Sequence, residues 1–292
     1  MKEIRVLICV PHVFSPKSGS LYGSETAEKI HIKRSALRSC CNGNLDRFNK
    51  VGYVHQSLGK GKEVVTRRIV KEGGIDLTIQ VYLGKGKNLS EVISRNKKLE
   101  LFEVSCNDMK NVPAVASRKA LEQWNRFDII GYMEDDISIE DEEFFEKILF
   151  LNSIYGDEYV FMPHRFERAT EKGEVVLSGD PEGGRDDLFW DTGETISVEW
   201  GIRERSFYRA TNPHSGCFFL TKEQARICDA YWRNKKWIAD FVLAGPLEHA
   251  CTGILLPIFR VMKPCIENYE FLKVLHQDEL WRRHRFENKD YC

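Results

Sequence analysis

The chain has 292 residues, enough for one large α/β domain or two small ones. Hydrophobic residues make up 42% and charged residues 30%, the balance of an ordinary soluble globular protein. A formal net charge of −1 gives no electrostatic case for nucleic acid or a membrane surface as partner, and the basic run Arg282–Arg283–His284–Arg285 reads as a solvated face.

The first apolar run, residues 4–10, predicts a buried strand. It is too short, and too soon broken by Pro11 and His12, to be a signal segment or a membrane span, and no other segment reaches span length. Nine cysteines are scattered without C-x-x-C spacing, and only Cys40–Cys41 are adjacent. Neither a disulfide framework nor a zinc site follows, so reduced thiols in a cytoplasmic protein are the expectation. Pro11 to Gly23 reads as a loop carrying His12, Lys17 and Tyr22. A helix is expected over Ser24–Cys41, closed by Asn42–Gly43–Asn44. Residues 62–70 and 75–83 predict strands, the second alternating well between apolar and polar positions. Gly84–Lys85–Gly86–Lys87 is a turn, because it lacks the spacing of a phosphate loop.

An amphipathic helix with Asn111 as N-cap is expected over Asn111–Arg126. Next comes the most telling stretch, Asp128–Ile129–Ile130–Gly131–Tyr132–Met133–Glu134–Asp135–Asp136–Ile137, an apolar strand that ends in three acids. Carboxylates are costly to bury without a cation or donors to compensate them. Acids delivered to the carboxyl end of a strand suggest a hard divalent ion, Mg²⁺ or Mn²⁺, at the edge of an α/β sheet. The plainer reading is that they open the next helix, which the run Ser138–Glu143 leads into before Phe144 and Phe145. That helix is expected to reach Tyr155, followed by a short strand at Val160–Met162. Residues 169–205 are polar and turn-rich and suggest a long loop or hairpin insertion. A strand at Cys217–Leu220 and helices at Lys222–Trp232 and Pro246–Leu256 complete the pass. Strands alternating with helices over the first 165 residues favour a mainly parallel sheet.

Tyr132–Met133–Glu134–Asp135–Asp136–Ile137 with Phe144–Phe145 resembles the metal-binding segment of GT-A-fold glycosyltransferases, in the Glu-Asp-Asp form of N-acetylglucosaminyltransferase I-type enzymes. Asn212–Pro213–His214–Ser215–Gly216–Cys217–Phe218–Phe219–Leu220 is similar to the His-Ser-Gly loop and strand of exostosin-like transferases. The resemblance covers about a third of the chain and implies a single domain with a Rossmann-like, mainly parallel sheet flanked by helices. Residues 1–165 would form the nucleotide-sugar-binding half and residues 166–292 the acceptor-binding half. It implies transfer of a sugar from a nucleotide-sugar, UDP-linked in most such enzymes, to a hydroxyl of a glycan or glycoconjugate.

By position, Asp136 is then the metal ligand, with Glu134 and Asp135 on ribose, on sugar hydroxyls or behind the ligand itself. His276, after the apolar run Val274–Leu275, would complete the metal shell. His12 would lie by the nucleotide, and His214 and Ser215 by donor or acceptor sugar. Glu248, behind Pro246 at a helix start, is the candidate general base for inversion, or an acid placed there by the helix dipole. Asp186 and Asp187 are weaker alternatives for that base. Arg165 and Glu167 either line the acceptor pocket or pair at the surface. Trp190 and Trp200 either stack on a sugar or pack within the loop, and His249 sits on a helix surface. Two other classes remain open: a metal-dependent nucleotidyltransferase, whose Gly-rich phosphate loop Ser15–Gly23 matches poorly, and a non-enzymatic divalent-ion or carbohydrate-binding module.

Overall fold

A computed structural model describes residues 3–14, 30–50, 52–70, 74–169, 173–177, 191–210, 213–235 and 245–277. Strand β1 (Ile4–His12) is buried over its last seven residues, as expected of a strand covered on both faces. It lies between β4 (Ile75–Gly84) and β6 (Ile129–Met133), parallel to both. Strand β5 (Leu99–Val104) adds parallel to β4, and β13 (Cys217–Thr221) adds antiparallel to β6. The resulting order, β13–β6–β1–β4–β5, is the mainly parallel sheet expected from the sequence.

Alternation along β1 sends its side chains into two cores. Val6, Ile8 and Val10 join the face covered by helices α1 (Ile30–Arg38), α2 (Asn44–Phe48) and α4 (Phe144–Tyr155), through Leu37, Leu45, Phe48, Phe144 and Phe145. Leu7 and Cys9 join the face covered by α3 (Val112–Leu121) and α5 (Lys222–Trp232), through Ala116, Ala120, Ala225 and Cys228. The amino end of α5 is fixed by a capping box between Thr221 and Gln224.

Smaller sheets surround this layer. Strands β8 (Tyr159–Phe161), β11 (Asp191–Trp200), β12 (Arg203–Ala210) and β14 (Arg260–Pro264) form one, in the order β11–β12–β14–β8. Strands β7 (Ile137–Ser138), β9 (His164–Ala169), β10 (Gly173–Leu177) and β15 (Lys273–His276) form another, in the order β10–β9–β15–β7. Strands β2 (Gly52–Leu58) and β3 (Val64–Val70) pair with each other as a hairpin.

Several boundaries differ from the sequence reading. Asn42–Gly43–Asn44 does not stop the first helix: a wide π-type turn over Ser39–Gly43 carries it into α2, with Gly43 at φ −61°. Asn44 is buried there, donating to the Cys40 carbonyl and accepting the Ile139 N–H, so it is a bracket and not a breaker. Asn111 makes no side-chain cap; Asp108 caps the turn before it by accepting from the Lys110 N–H. The helix expected over Pro246–Leu256 is one short turn, α6 (Pro246–Glu248), that widens over His249–Gly253. Within the 169–205 stretch, the described part resolves into β10 and the β11–β12 hairpin. No helix among the described residues is long and apolar enough to cross a membrane, and no disulfide joins the described cysteines.

Gly131 sits in the middle of β6 because nothing larger fits. A Cβ there would lie 2.5 Å from Cδ1 of Phe219, whose ring packs edge-on against Phe144 and Phe145. Gly131→Ala is therefore expected to lower stability by about 1–3 kcal/mol, read as a fall in the denaturant midpoint. An unchanged midpoint would contradict the close approach.

Candidate functional site

The parallel register decides what meets at the carboxyl edge of the sheet. Cys9 lies opposite Tyr132, so continuing three residues along each strand brings His12 beside Asp135. His12 Nδ1 and Asp135 Oδ2 are 2.5 Å apart, and the Leu89 N–H donates to His12 Nε2 at 2.9 Å. The accepting Nε2 places the imidazole proton on Nδ1, where it is donated to Asp135. His12 is buried, and this contact holds Asp135 in place.

Glu134–Asp136 do not open a helix. They form the tight turn between β6 and β7, and α4 begins only at Phe144. The Glu134 N–H donates to the Gly216 carbonyl at 2.7 Å. Gly216 has φ +70°, and a Cβ there would come within 3.2 Å of Glu134 Oε2, so the glycine admits the carboxyl group. Burial, and Asp136 beside it, push the Glu134 carboxyl up to about 8, with Arg165 opposing. Glu134 therefore keeps its proton at pH 7.

Asp136 behaves oppositely. Burial alone would raise its carboxyl, but the Lys33 ammonium at 2.9 Å and then His276 hold it well below the ordinary carboxylate range. His276 arrives from late in the chain: β15 pairs antiparallel with β7, setting His276 opposite Ile137, and the Gln277 N–H donates to the Asp136 carbonyl. His276 Nε2 then stands 3.7 Å from Asp136 Oδ2, while Nδ1 contacts the fully buried Glu167 at 2.7 Å. A carboxylate behind one imidazole nitrogen orients the other towards a ligand position.

The other expected residues fall as follows. His214 Nε2 is 3.5 Å from Glu134 Oε1, and burial, then Arg165 and Lys263, keep this imidazole far below its usual range and so neutral. Ser215 is fully buried, its hydroxyl shared between the backbone carbonyls of Pro163 and Pro213, so it clips the turn. Glu248 is half-buried on α6, close enough for its charge to raise Glu134. Arg165 and Glu167 are both buried, which corrects the surface-pair alternative. His249 is buried, not on a helix surface. Trp200 packs against Phe150 and Phe271, which accounts for it without a sugar. Asp186, Asp187 and Trp190 lie outside the described residues.

The three acids line a cleft of about 380 Å³, together with Phe14, Lys33, Lys110 and Leu247, within the range of small-ligand sites. Lys33 and Lys110 were not singled out from the sequence, where they are ordinary helix or loop lysines. Among the described residues no group of three or more His, Cys, Asp or Glu forms a ready-made metal cage. The donors nonetheless suit a divalent ion that takes part of its shell from a ligand. Asp136 Oδ1 is buried without a hydrogen-bond partner, and Asp136 faces an oriented imidazole.

No family model matches this sequence, and no curated protein matches it. Among solved structures, the chain is similar to a 4-diphosphocytidyl-2C-methyl-D-erythritol synthase at 8% identity and a TM-score of 0.40. That match covers 97% of this chain and 98% of the other.

Proposed function

We propose that the cleft binds a nucleotide-sugar, UDP-linked on the pattern of the GT-A enzymes the sequence resembles, and transfers the sugar to a hydroxyl of a glycan or glycoconjugate. The observation that carries this reading is the pair of opposed, buried groups at the sheet edge: Asp136, with one oxygen unsatisfied, and His276, oriented by Glu167. Asp136 and His276 would hold a Mn²⁺ or Mg²⁺ ion, which would supply a Lewis acid for the departing diphosphate.

The chain's own residues supply the rest. Lys33 and Lys110 flank the cleft and offer ammonium groups to phosphate oxygens. Asp135, locked by His12, accepts from a ribose or sugar hydroxyl. Glu134 lines the same cleft, with neutral His214 behind it. Glu248 takes the proton of the acceptor hydroxyl as the new bond to the anomeric carbon forms. The bond to the phosphate oxygen breaks on the opposite side, which inverts the centre.

Two measurements test the assignment. In calorimetry with Mn²⁺ and a panel of nucleotide-sugars, one donor is expected to bind only when the metal is present. Heat from nucleoside triphosphates alone would instead mark a nucleotidyltransferase, and heat from none would end the reading. Glu248→Gln is expected to slow transfer by roughly 10²–10⁴-fold with donor affinity unchanged, and normal turnover would remove Glu248 from the base role.

A further inference from the structure

We infer that Lys33 is a built-in counter-cation at the acidic turn, one that a divalent ion has to displace and that moves onto the diphosphate when the nucleotide arrives. The inference rests on the function proposed above and concerns how that site is filled.

Helix α1 is anchored in the core through Ala36 and Leu37, and its first turn directs Lys33 at the cleft, which Lys33 lines together with the three acids. The Lys33 ammonium stands 2.9 Å from Asp136 Oδ2 and 4.0 Å from Asp135 Oδ1. All three side chains are largely withdrawn from water, at 16% exposed for Lys33, 17% for Asp135 and 9% for Asp136. Ions sheltered in this way are screened far less than a surface pair. The oxygen that Lys33 holds is also the one that faces the imidazole, since His276 Nε2 lies 3.7 Å from the same Asp136 Oδ2. The carboxylate oxygen best placed to serve an ion held by Asp136 and His276 is therefore already taken by the chain's own cation.

An ammonium and a divalent ion repel strongly when they meet at one carboxylate oxygen in so sheltered a place. Mn²⁺ alone thus competes with Lys33 and strips the ammonium of its carboxylate. A diphosphate changes the balance. Lysine carries its charge on a flexible four-carbon stem, and the cleft proposed to receive the phosphates is the one that Lys33 lines. The ammonium exchanges Asp136 for a phosphate oxygen, Asp136 is freed, and neither charge is left unpaired. Ion and nucleotide then favour each other's binding, by a factor that is the same in both directions.

Titration calorimetry on the full chain tests this. MnCl₂ is titrated into wild type, Lys33→Met and Lys110→Met, each alone and each in excess UDP, with GDP and ADP in parallel so that the base does not decide the outcome. Lys110 lines the same cleft but, among the described residues, pairs with no acid. The wild type is expected to bind Mn²⁺ roughly 100-fold more tightly with the nucleotide than alone. Lys33→Met is expected to bind Mn²⁺ alone roughly 10-fold more tightly than wild type, and the nucleotide with Mn²⁺ roughly 10-fold more weakly. These opposite signs mark displacement: a lysine that only braced the fold would weaken both, and a plain phosphate contact would leave Mn²⁺ alone unchanged. Lys110→Met removes the same charge without freeing a carboxylate, so it is expected to weaken the nucleotide and leave Mn²⁺ alone nearly unchanged. Should Lys33→Met lose its far-UV spectrum, Lys33→Gln, which keeps an N–H for Asp136, takes its place.

Mn²⁺ that binds the wild type but binds Lys33→Met no more tightly overturns the inference and leaves the proposed function standing. An equal gain in Lys110→Met does the same, because the effect would then belong to the net charge of the cleft. A nucleotide that binds the wild type equally well without Mn²⁺ also overturns it, by making Lys33 a permanent substitute for the ion. No heat from Mn²⁺ in any of the proteins, alone or with any of the diphosphates, ends the function proposed above and this inference with it.

Discussion

Replacing Asp136 with Asn is expected to reduce sugar transfer by roughly 10³-fold or more, since metal stabilisation of the departing charge provides several kcal/mol of the barrier reduction. Asp136 is the point where three independent elements converge. The turn after β6 presents it, Lys33 on α1 sits 2.9 Å away, and β15 brings His276 to 3.7 Å. The Asn side chain keeps the shape and removes the negative charge, so the sheet should survive, as an unchanged far-UV spectrum would show. Metal-dependent stabilisation by the nucleotide-sugar should vanish with activity. If the variant still turns over, or the wild type works equally well in excess EDTA, the carboxylate does not serve a divalent ion.

Glu134→Gln is expected to raise the stability of the metal-free protein at alkaline pH while changing little near pH 4.5. The sign follows from the two end states. In the unfolded chain the Glu134 carboxyl loses its proton near the ordinary 4.5, whereas in the folded protein burial and Asp136 hold it up to about 8. Below pH 4.5 both states are protonated and the group is neutral to stability. Between 4.5 and 8 only the unfolded chain releases the proton, so stability falls as pH rises, and above 8 the loss is complete. A separation of this size corresponds to a loss on the order of 5 kcal/mol. Gln does not titrate, so the difference in Tm between variant and wild type should widen steadily from pH 5 to pH 8. A pH-independent difference would mean that Glu134 ionises normally in the fold.

The parts of the fold legible in the sequence are those where burial is two-sided. Strands β1 and β6 read as apolar runs because helices cover both faces, and β4 as an alternation. Strands β2 and β5 went unread for the opposite reason: their side chains are largely exposed, so partner backbone and not burial holds them, and pairing leaves little mark on composition. Asn44 misled because its amide is satisfied inside the protein, by Cys40 and Ile139, neither of which local sequence identifies. At the site, the acids announced themselves because three carboxylates after a buried strand are anomalous. His276 came through resemblance, and the register of β15 explains why a residue so distant lies beside Asp136. Lys33 and the Glu167 support of His276 carried no signal, since a lysine on a helix and a Glu in a mixed strand are commonplace until tertiary contacts give them partners.

The late arrival of β15 has a consequence for biosynthesis. The first acids and His12 belong to a sheet whose parallel strands can associate early, but Asp136 gains His276 only when nearly the whole described chain has left the ribosome and β15 has docked on β7 and β9. Under the function proposed above, a nascent chain halted before residue 273 is thus expected to hold a sheet and an acidic turn but to lack His276, so translation of the last described strand completes the proposed ion site.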